Sequence, residues 1–204
     1  MQSDSWRNDL NDDNNFSHKT TYSYERLMKS LEEVNTDLEN LKPFAFLATI
    51  FEFTRAFKQM GSSISMAFSD ITEKVDIWRN LFKTEYPQAS TLQEVMTKEI
   101  ELNLQKLNGD NNSSLGHKKK TQYHNYTSGC RTMVRLSWFL HYMITVFKKL
   151  VQTELAFNKC LDKSYDEILA PHHPWLVKKA AGVAFGLAPS KRTTAYKILV
   201  GKLS

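Results

Sequence analysis

A chain of 204 residues, 41% apolar and 24% charged, suits one domain with a sizeable core; with only 7 Gly and 5 Pro breaking long periodic segments, a sheet-rich fold is excluded in favour of an all-α one. The net charge of +5 is unevenly placed: residues 1–40 hold nine acids against four bases, leaving 23 bases and 13 acids, ten charges positive, in the rest. Such a body suits anionic membrane surfaces, phosphorylated ligands or nucleic acid, and charge alone does not choose among them.

Residues 1–20 are polar, rich in Asp and Asn, and aperiodic; they are expected to form a disordered tail before a domain spanning 21–204. Tyr24, Leu27, Leu31 and Val34 recur at helical spacing and predict a helix running to about Glu39. Pro43 sits where the next helix can begin. Phe44, Leu47, Phe51, Thr54 and Lys58 mark one side of that helix and Phe46, Ile50, Phe53 and Phe57 the other. So little of its circumference is polar that it must be buried on more than one side or line something apolar.

After a weak break at Gly61-Ser62-Ser63, a third helix is predicted over 64–83, ending before Pro87. Asp70 and Lys74 lie four apart on it, with Met66, Ile77 and Trp78 around them, and by spacing alone they fit a surface ion pair. Thr91 with Glu94 three residues on is a capping-box signature for a helix expected to reach Leu107. Residues 108–127 read as a loop holding Lys118-Lys119-Lys120, a solvated run that also suits anionic headgroups.

The stretch 128–150 reads as a mostly apolar helix with Arg131 and Arg135 on one face, one turn apart. Removing one charge from water costs several kcal/mol, so the two cations must be solvated at a rim, paired with carboxylates, or held for an anionic ligand. Another amphipathic segment covers 153–169, broken at Pro171-His172-His173-Pro174; helices over 175–187 and 193–200 follow. From Val177 to the end there are six bases and no acid.

Several chemistries find no support. His172 and His173 are adjacent, but no H-x-x-x-H or Cys/His spacing accompanies them, so neither a metal nor a cofactor is expected. There is no Gly-x-Ser-x-Gly and no phosphate-cradling Gly loop, and an enzyme is not expected. No zinc finger, helix-turn-helix or aromatic-basic RNA motif appears, so nucleic acid is not expected as a partner. Cys130 and Cys160 read as free thiols in a reducing compartment; without a signal-like run or 18 uninterrupted apolar residues, a cytoplasmic location is expected.

What stands out is a set of polar residues at otherwise apolar helix positions: Asp70, Lys74, Arg131, Arg135 and His173. Arginine forks suit phosphate oxygens and lysine adds a point charge, while a carboxylate accepts from an amide or hydroxyl and a neutral imidazole donates to a carbonyl. A lipid with a phosphate, an amide and long chains would satisfy all of them together.

The segments DITEKVDIW (70–78), SGCRTMVRLSWFLHY (128–142) and HPWLVKKAAGVAF (173–185), followed by APSKR (188–192), resemble the glycolipid transfer protein superfamily, more closely its ceramide-1-phosphate transfer branch. The resemblance spans roughly 24–200 and implies a two-layer all-helical sandwich whose layers part to admit lipid chains. It implies that Asp70 binds the sphingoid amide and hydroxyl, that Lys74, Arg131 and Arg135 bind the phosphate, and that His173 binds the amide carbonyl. Glycolipid-binding members carry asparagine at the place of Lys74 and a tryptophan platform at that of Arg135, so two cations there favour a phosphate headgroup.

Phe57, Met66, Trp138 and Tyr165 are expected in the hydrophobic pocket, and Trp175 near the membrane-docking surface. Two departures stand out: His172 replaces the usual tyrosine before the motif histidine, and relatives continue past the position of Ser204 with a final helix, so a sandwich lacking that helix is expected, either as a truncated product or isoform or with its pocket partly open. The resulting expectation is a monomeric, non-enzymatic carrier of ceramide 1-phosphate that contacts membranes transiently. The alternatives are a lipid sensor that binds without efficient transfer and a carrier of neutral glycosphingolipids.

Overall fold

In the computed structural model, residues 5–17, 19–109, 123 and 125–200 are described, and they form ten α-helices. These are α1 (Ser5–Asn11), α2 (Tyr24–Asn35), α3 (Pro43–Lys58), α4 (Ser62–Ala67), α5 (Ser69–Asn80), α6 (Leu92–Glu101), α7 (Gly129–Gln152), α8 (Phe157–Ile168), α9 (Trp175–Gly186) and α10 (Arg192–Leu199). A π-helical turn at Leu81–Glu85 follows α5, and a 3-10 turn at Ala170–His172 precedes α9. Among the described residues there is no strand, only a single bridge between Asn108 and Thr127.

Helix α3 starts with Pro43 in its first turn and is buried from Ala45 through Phe57 except at Ala48, as its all-round apolar sequence requires. Helices α1, α2, α4 and α5 pack against it. The long α7 packs on α6 and α8, and α9 lies on α8. The α5–α7 and α4–α9 contacts join these groups into the two-layer all-α sandwich. At the seam Phe68 stacks on Phe57 at 4.3 Å between ring centroids, meets Phe139 edge-on, and lies near Tyr142 and Phe185. Offset and edge-on aromatic pairs of this kind each contribute about 0.5–1.5 kcal/mol beyond their burial.

Four segments differ from the sequence expectation. The stretch 1–20, expected as a disordered tail, contains α1, and Leu10 and Phe16 are buried. Phe16 packs edge-on against Phe44 and Phe51, while Arg55 donates to the carbonyls of Asn15 and Ser17, so burial and hydrogen bonds to α3 hold residues 15–17. The helix expected over 64–83 is three pieces, because Phe68 leaves helical geometry to enter the aromatic seam and the chain ends in the π turn.

Helix α6 keeps its Thr91 cap, whose side chain accepts from Glu94 N–H at 3.2 Å, but stops at Glu101. There Asn103 takes a left-handed φ of 58°, and Leu104 N–H and Asn103 N–H donate back to the carbonyls of Glu99 and Ile100, a Schellman ending. Helix α2 likewise stops at Asn35, short of Glu39. Lys118-Lys119-Lys120 lie outside the described residues.

Candidate functional site

Asp70 stands in the first turn of α5, where a carboxylate is favoured by the helix dipole, and Lys74 one turn further. Lys74 Nζ donates to Asp70 Oδ1 at 2.6 Å. The pair is asymmetric: the lysine side chain is 11% exposed and the aspartate 63%, so the cation is sunk beside the core and the carboxylate faces outward. That is not the solvated surface pair that spacing alone suggested.

Helix α7 brings the arginines to this place. Ser128 caps it, accepting from Arg131 N–H at 3.2 Å. Arg131, Arg135, Trp138 and Tyr142 then follow one stripe of the helix at spacings of four, three and four. The first three are half-buried and Tyr142 is fully buried, so the stripe runs from a charged rim into the apolar interior over about 10 Å beyond Arg135. Arg131 Nε is buried without a hydrogen-bond partner among the described residues. The Arg135 guanidinium is held below its ordinary value, first by burial and then by the charge of Arg131, with Asp70 opposing.

His173 leaves the 3-10 turn in extended geometry and completes the group. Its imidazole is pushed below its ordinary value by burial above all, with Asp70 opposing and His172, Lys178 and Arg135 adding to the shift. Its Nδ1 lies 2.8 Å from Tyr165 Oη. The unfolded chain therefore protonates this histidine before the folded one does, and its contribution to stability is present above the ordinary imidazole range and lost as pH falls through the lowered folded value. Unfolding midpoints measured from about pH 8 to about pH 5 should fall, and fall less steeply in His173→Gln.

The Lys74–Asp70 pair, the two arginines and His173 thus lie within electrostatic reach of one another through Asp70 and Arg135. Of the residues expected in the hydrophobic pocket, Phe57 and Tyr165 are buried, whereas Met66 is 74% exposed and lies on the surface. Its helix α4 is a short separate piece that turns Ile64 inward instead. Trp138 is half-buried and stacks flat on His172, rings 3.6 Å apart at 3°. Trp175 is 65% exposed, with Lys179 Nζ over its ring at 4.2 Å.

Sequence reasoning missed Glu99. It is fully buried on α6 and accepts from Tyr126 Oη (2.7 Å), Ser128 Oγ (2.6 Å), Gly129 N–H (2.5 Å) and Cys130 N–H (2.8 Å). The signal was available: Leu92, Val95 and Glu99 follow one helical face at spacings of three and four, an acid where an apolar residue belongs. The carboxylate fills the α7 N-terminus, so an anionic ligand must be met by the side chains of the next turns instead of by free amides. It also pushes the Cys130 thiol up to about 12, after burial as the larger cause, which keeps that cysteine an unreactive thiol.

Gly129 completes the joint. A Cβ there would lie 2.9 Å from the buried Trp78 ring, so Gly129→Ala should cost about 1–3 kcal/mol by overpacking, read as a lower unfolding midpoint.

A recess of about 470 Å³ lies elsewhere on α5, lined by Glu73, Asp76, Asn80, Glu85 and Tyr126 among others. Its carboxylates would repel a phosphate, and it contains none of the five clustered residues. Among the described residues no three His, Cys, Asp or Glu are grouped to hold a metal, and no helix is long and apolar enough to cross a membrane.

A helical sandwich with a cationic rim over an aromatic interior defines the class structurally. The family model for glycolipid transfer protein (GLTP) matches residues 41–200, and the chain belongs to that family. The ceramide-1-phosphate transfer protein of Danio rerio is 27% identical over 177 residues, covering 84% of this chain and 77% of that protein. The protein of the same name from Homo sapiens is 25% identical over 189 residues, covering 90% and 81%. Among solved structures, human ceramide-1-phosphate transfer protein in complex with 2:0 ceramide-1-phosphate superposes with a TM-score of 0.72 at 23% identity, over 89% of this chain and 82% of that one. The apo form of the mouse protein gives 0.71 at 22% identity, over 89% and 82%.

Proposed function

We propose that this protein is a non-enzymatic carrier that extracts a phosphorylated sphingolipid, ceramide 1-phosphate, from one membrane and delivers it to another. What supports the reading is that Asp70, ion-paired to Lys74, lies within electrostatic reach of Arg135 and His173, with Arg131 beside Arg135. In this reading the three cations hold the phosphate, Asp70 accepts from the sphingoid amide and hydroxyl, and neutral His173 donates to the amide carbonyl. The names of the relatives support the same lipid. A neutral headgroup would offer no anion to the half-buried Arg131 and Arg135, which is the source of selectivity.

The chains then enter between the layers. Each buried CH₂ contributes about 0.8 kcal/mol, enough over two long chains to open the Phe57, Phe68, Phe139 and Phe185 seam. Helix α9 offers the docking face: Trp175, Leu176, Val183 and Leu187 are exposed, Lys178 and Lys179 flank them, and no acid occurs from Ile168 to Val200. An indole at such a rim suits the headgroup level of a bilayer. The carrier works as a cytoplasmic monomer that touches membranes transiently.

Two measurements test this. Fluorescent ceramide 1-phosphate should move between vesicles in the presence of the protein; equal or faster movement of a neutral glycosylceramide would overturn the phosphate assignment, and saturable binding without net movement would make the protein a sensor instead. Trp175→Ala should leave the unfolding midpoint unchanged, because the side chain is exposed, and lower partitioning onto anionic vesicles several-fold in a sedimentation assay.

A further inference from the structure

We propose that Tyr165 is a positioning residue for His173: its hydroxyl donates to Nδ1, which leaves the ring hydrogen on Nε2, where it can be donated to the amide carbonyl of the bound lipid. The inference rests on the carrier reading for the identity of the ligand, but the tautomer itself is a property of the free protein.

The geometry leaves Tyr165 one task. The residue is 4% exposed on α8, its ring packed 5.4 Å from that of Phe185. A phenol in such surroundings is costly unless its hydroxyl finds a partner, and the partner it finds is His173 Nδ1 at 2.8 Å. Burial pushes the phenol up and the imidazole down, so both groups are neutral near pH 7.

A neutral imidazole has one donor nitrogen and one acceptor nitrogen, and the hydrogen bond made by one fixes the role of the other. A phenol is a better donor than acceptor, so the favoured arrangement is O–H to Nδ1. In the opposite tautomer Nε2 would present a lone pair, which repels a carbonyl oxygen. His173 Nε2 has no hydrogen-bond partner among the described residues, and so is available to a ligand.

The neighbouring His172 holds the same turn from the other side through its flat stack on Trp138. The turn that carries His173 is thus held to α7 through His172 and to α8 through Tyr165 before any lipid arrives. Replacement of Tyr165 by phenylalanine keeps the ring packing and removes only the donor.

The test uses the full chain. Long-range proton–nitrogen NMR of the free protein should show the Nε2–H tautomer for His173, and a mixture in Tyr165→Phe. A wild-type Nδ1–H tautomer, or no change in the variant, overturns the proposal. In tryptophan-fluorescence titrations with phosphatidylcholine vesicles carrying ceramide 1-phosphate, Tyr165→Phe should bind about five-fold more weakly, the loss of one neutral hydrogen bond.

With vesicles carrying a dialkylglycerol phosphate, which has the phosphate and two chains but no carbonyl, the variant and the wild type should bind alike. Equal loss with both lipids would make Tyr165 merely structural and overturn the proposal. Should the wild type bind neither lipid, the carrier reading fails, while the tautomer measurement still decides whether Tyr165 sets the ring.

Discussion

Replacing Arg135 with leucine is expected to weaken binding of ceramide 1-phosphate at least about thirty-fold, since truncating one member of a desolvated, hydrogen-bonded charge contact costs about 2–5 kcal/mol. The same change should leave the fold intact or raise its unfolding midpoint. Arg135 sits beside Arg131, and both burial and that like charge disfavour its protonated form in the free protein. A side chain that is electrostatically strained without ligand and sunk at an apolar rim contributes little to stability, so its loss separates binding from folding.

Tryptophan-fluorescence titration with vesicles containing the lipid, run beside thermal unfolding, reads both quantities. Wild-type affinity in the variant would remove Arg135 from the headgroup site. A collapse of the unfolding midpoint would instead give it a structural role.

Glu99→Ala is expected to do the opposite, lowering the stability of the whole domain by about 4 kcal/mol and its unfolding midpoint by about 10 °C. The carboxylate accepts four hydrogen bonds in a fully buried position, and its removal strands two backbone amides at the head of α7 together with the hydroxyls of Ser128 and Tyr126. Tyr86 Oη, 2.8 Å from Tyr126 Oη, would be disturbed with them. Glu99→Gln should recover only part of the loss, because an amide has one acceptor oxygen where the carboxylate has two and turns an NH₂ toward existing donors. Equilibrium unfolding in urea distinguishes the three chains; equal midpoints for all would mean that water replaces the carboxylate and that the joint does not depend on its charge.

The two expectations divide α7 into parts with different work. Its first residues, Ser128, Gly129 and Cys130, are engaged by α6 and by the close approach of Trp78, and fix where the helix starts. Its first two turns carry the arginines outward from that fixed start. In SGCRTMVR, then, the first three residues fix the helix and the two arginines meet the rim.

Periodicity made much of this legible. The apolar stripes of α3 and α7, Pro43 in the first turn of α3, the Thr91 cap and the Ser128 helix start are local signals, and each acts within one or two turns of the residues that carry it. Local signals were also misleading where burial intervened. Phe68 reads as one more helical residue, yet the aromatic seam draws it inward and splits the helix. Residues 1–20 read as a polar, aperiodic tail, yet α3 offers Leu10 and Phe16 a surface. Glu52, an acid inside that apolar helix, is paired in the fold with Arg26 at 2.8 Å and with Arg55.

By itself the sequence determined that the chain is helical, where most of its helices begin, and that five polar side chains occupy positions their neighbours reserve for apolar ones. Those properties depend on spacing along the chain, and spacing is all that a helix needs. Only the tertiary structure decided that Asp70 comes within electrostatic reach of Arg135 some sixty residues later, that Glu99 closes the head of α7, and that Tyr165 faces His173 with its hydroxyl. Such meetings depend on how α5, α6, α7 and α8 pack, and packing is settled by the sum of many weak apolar contacts, none of which is marked at the polar residues it brings together.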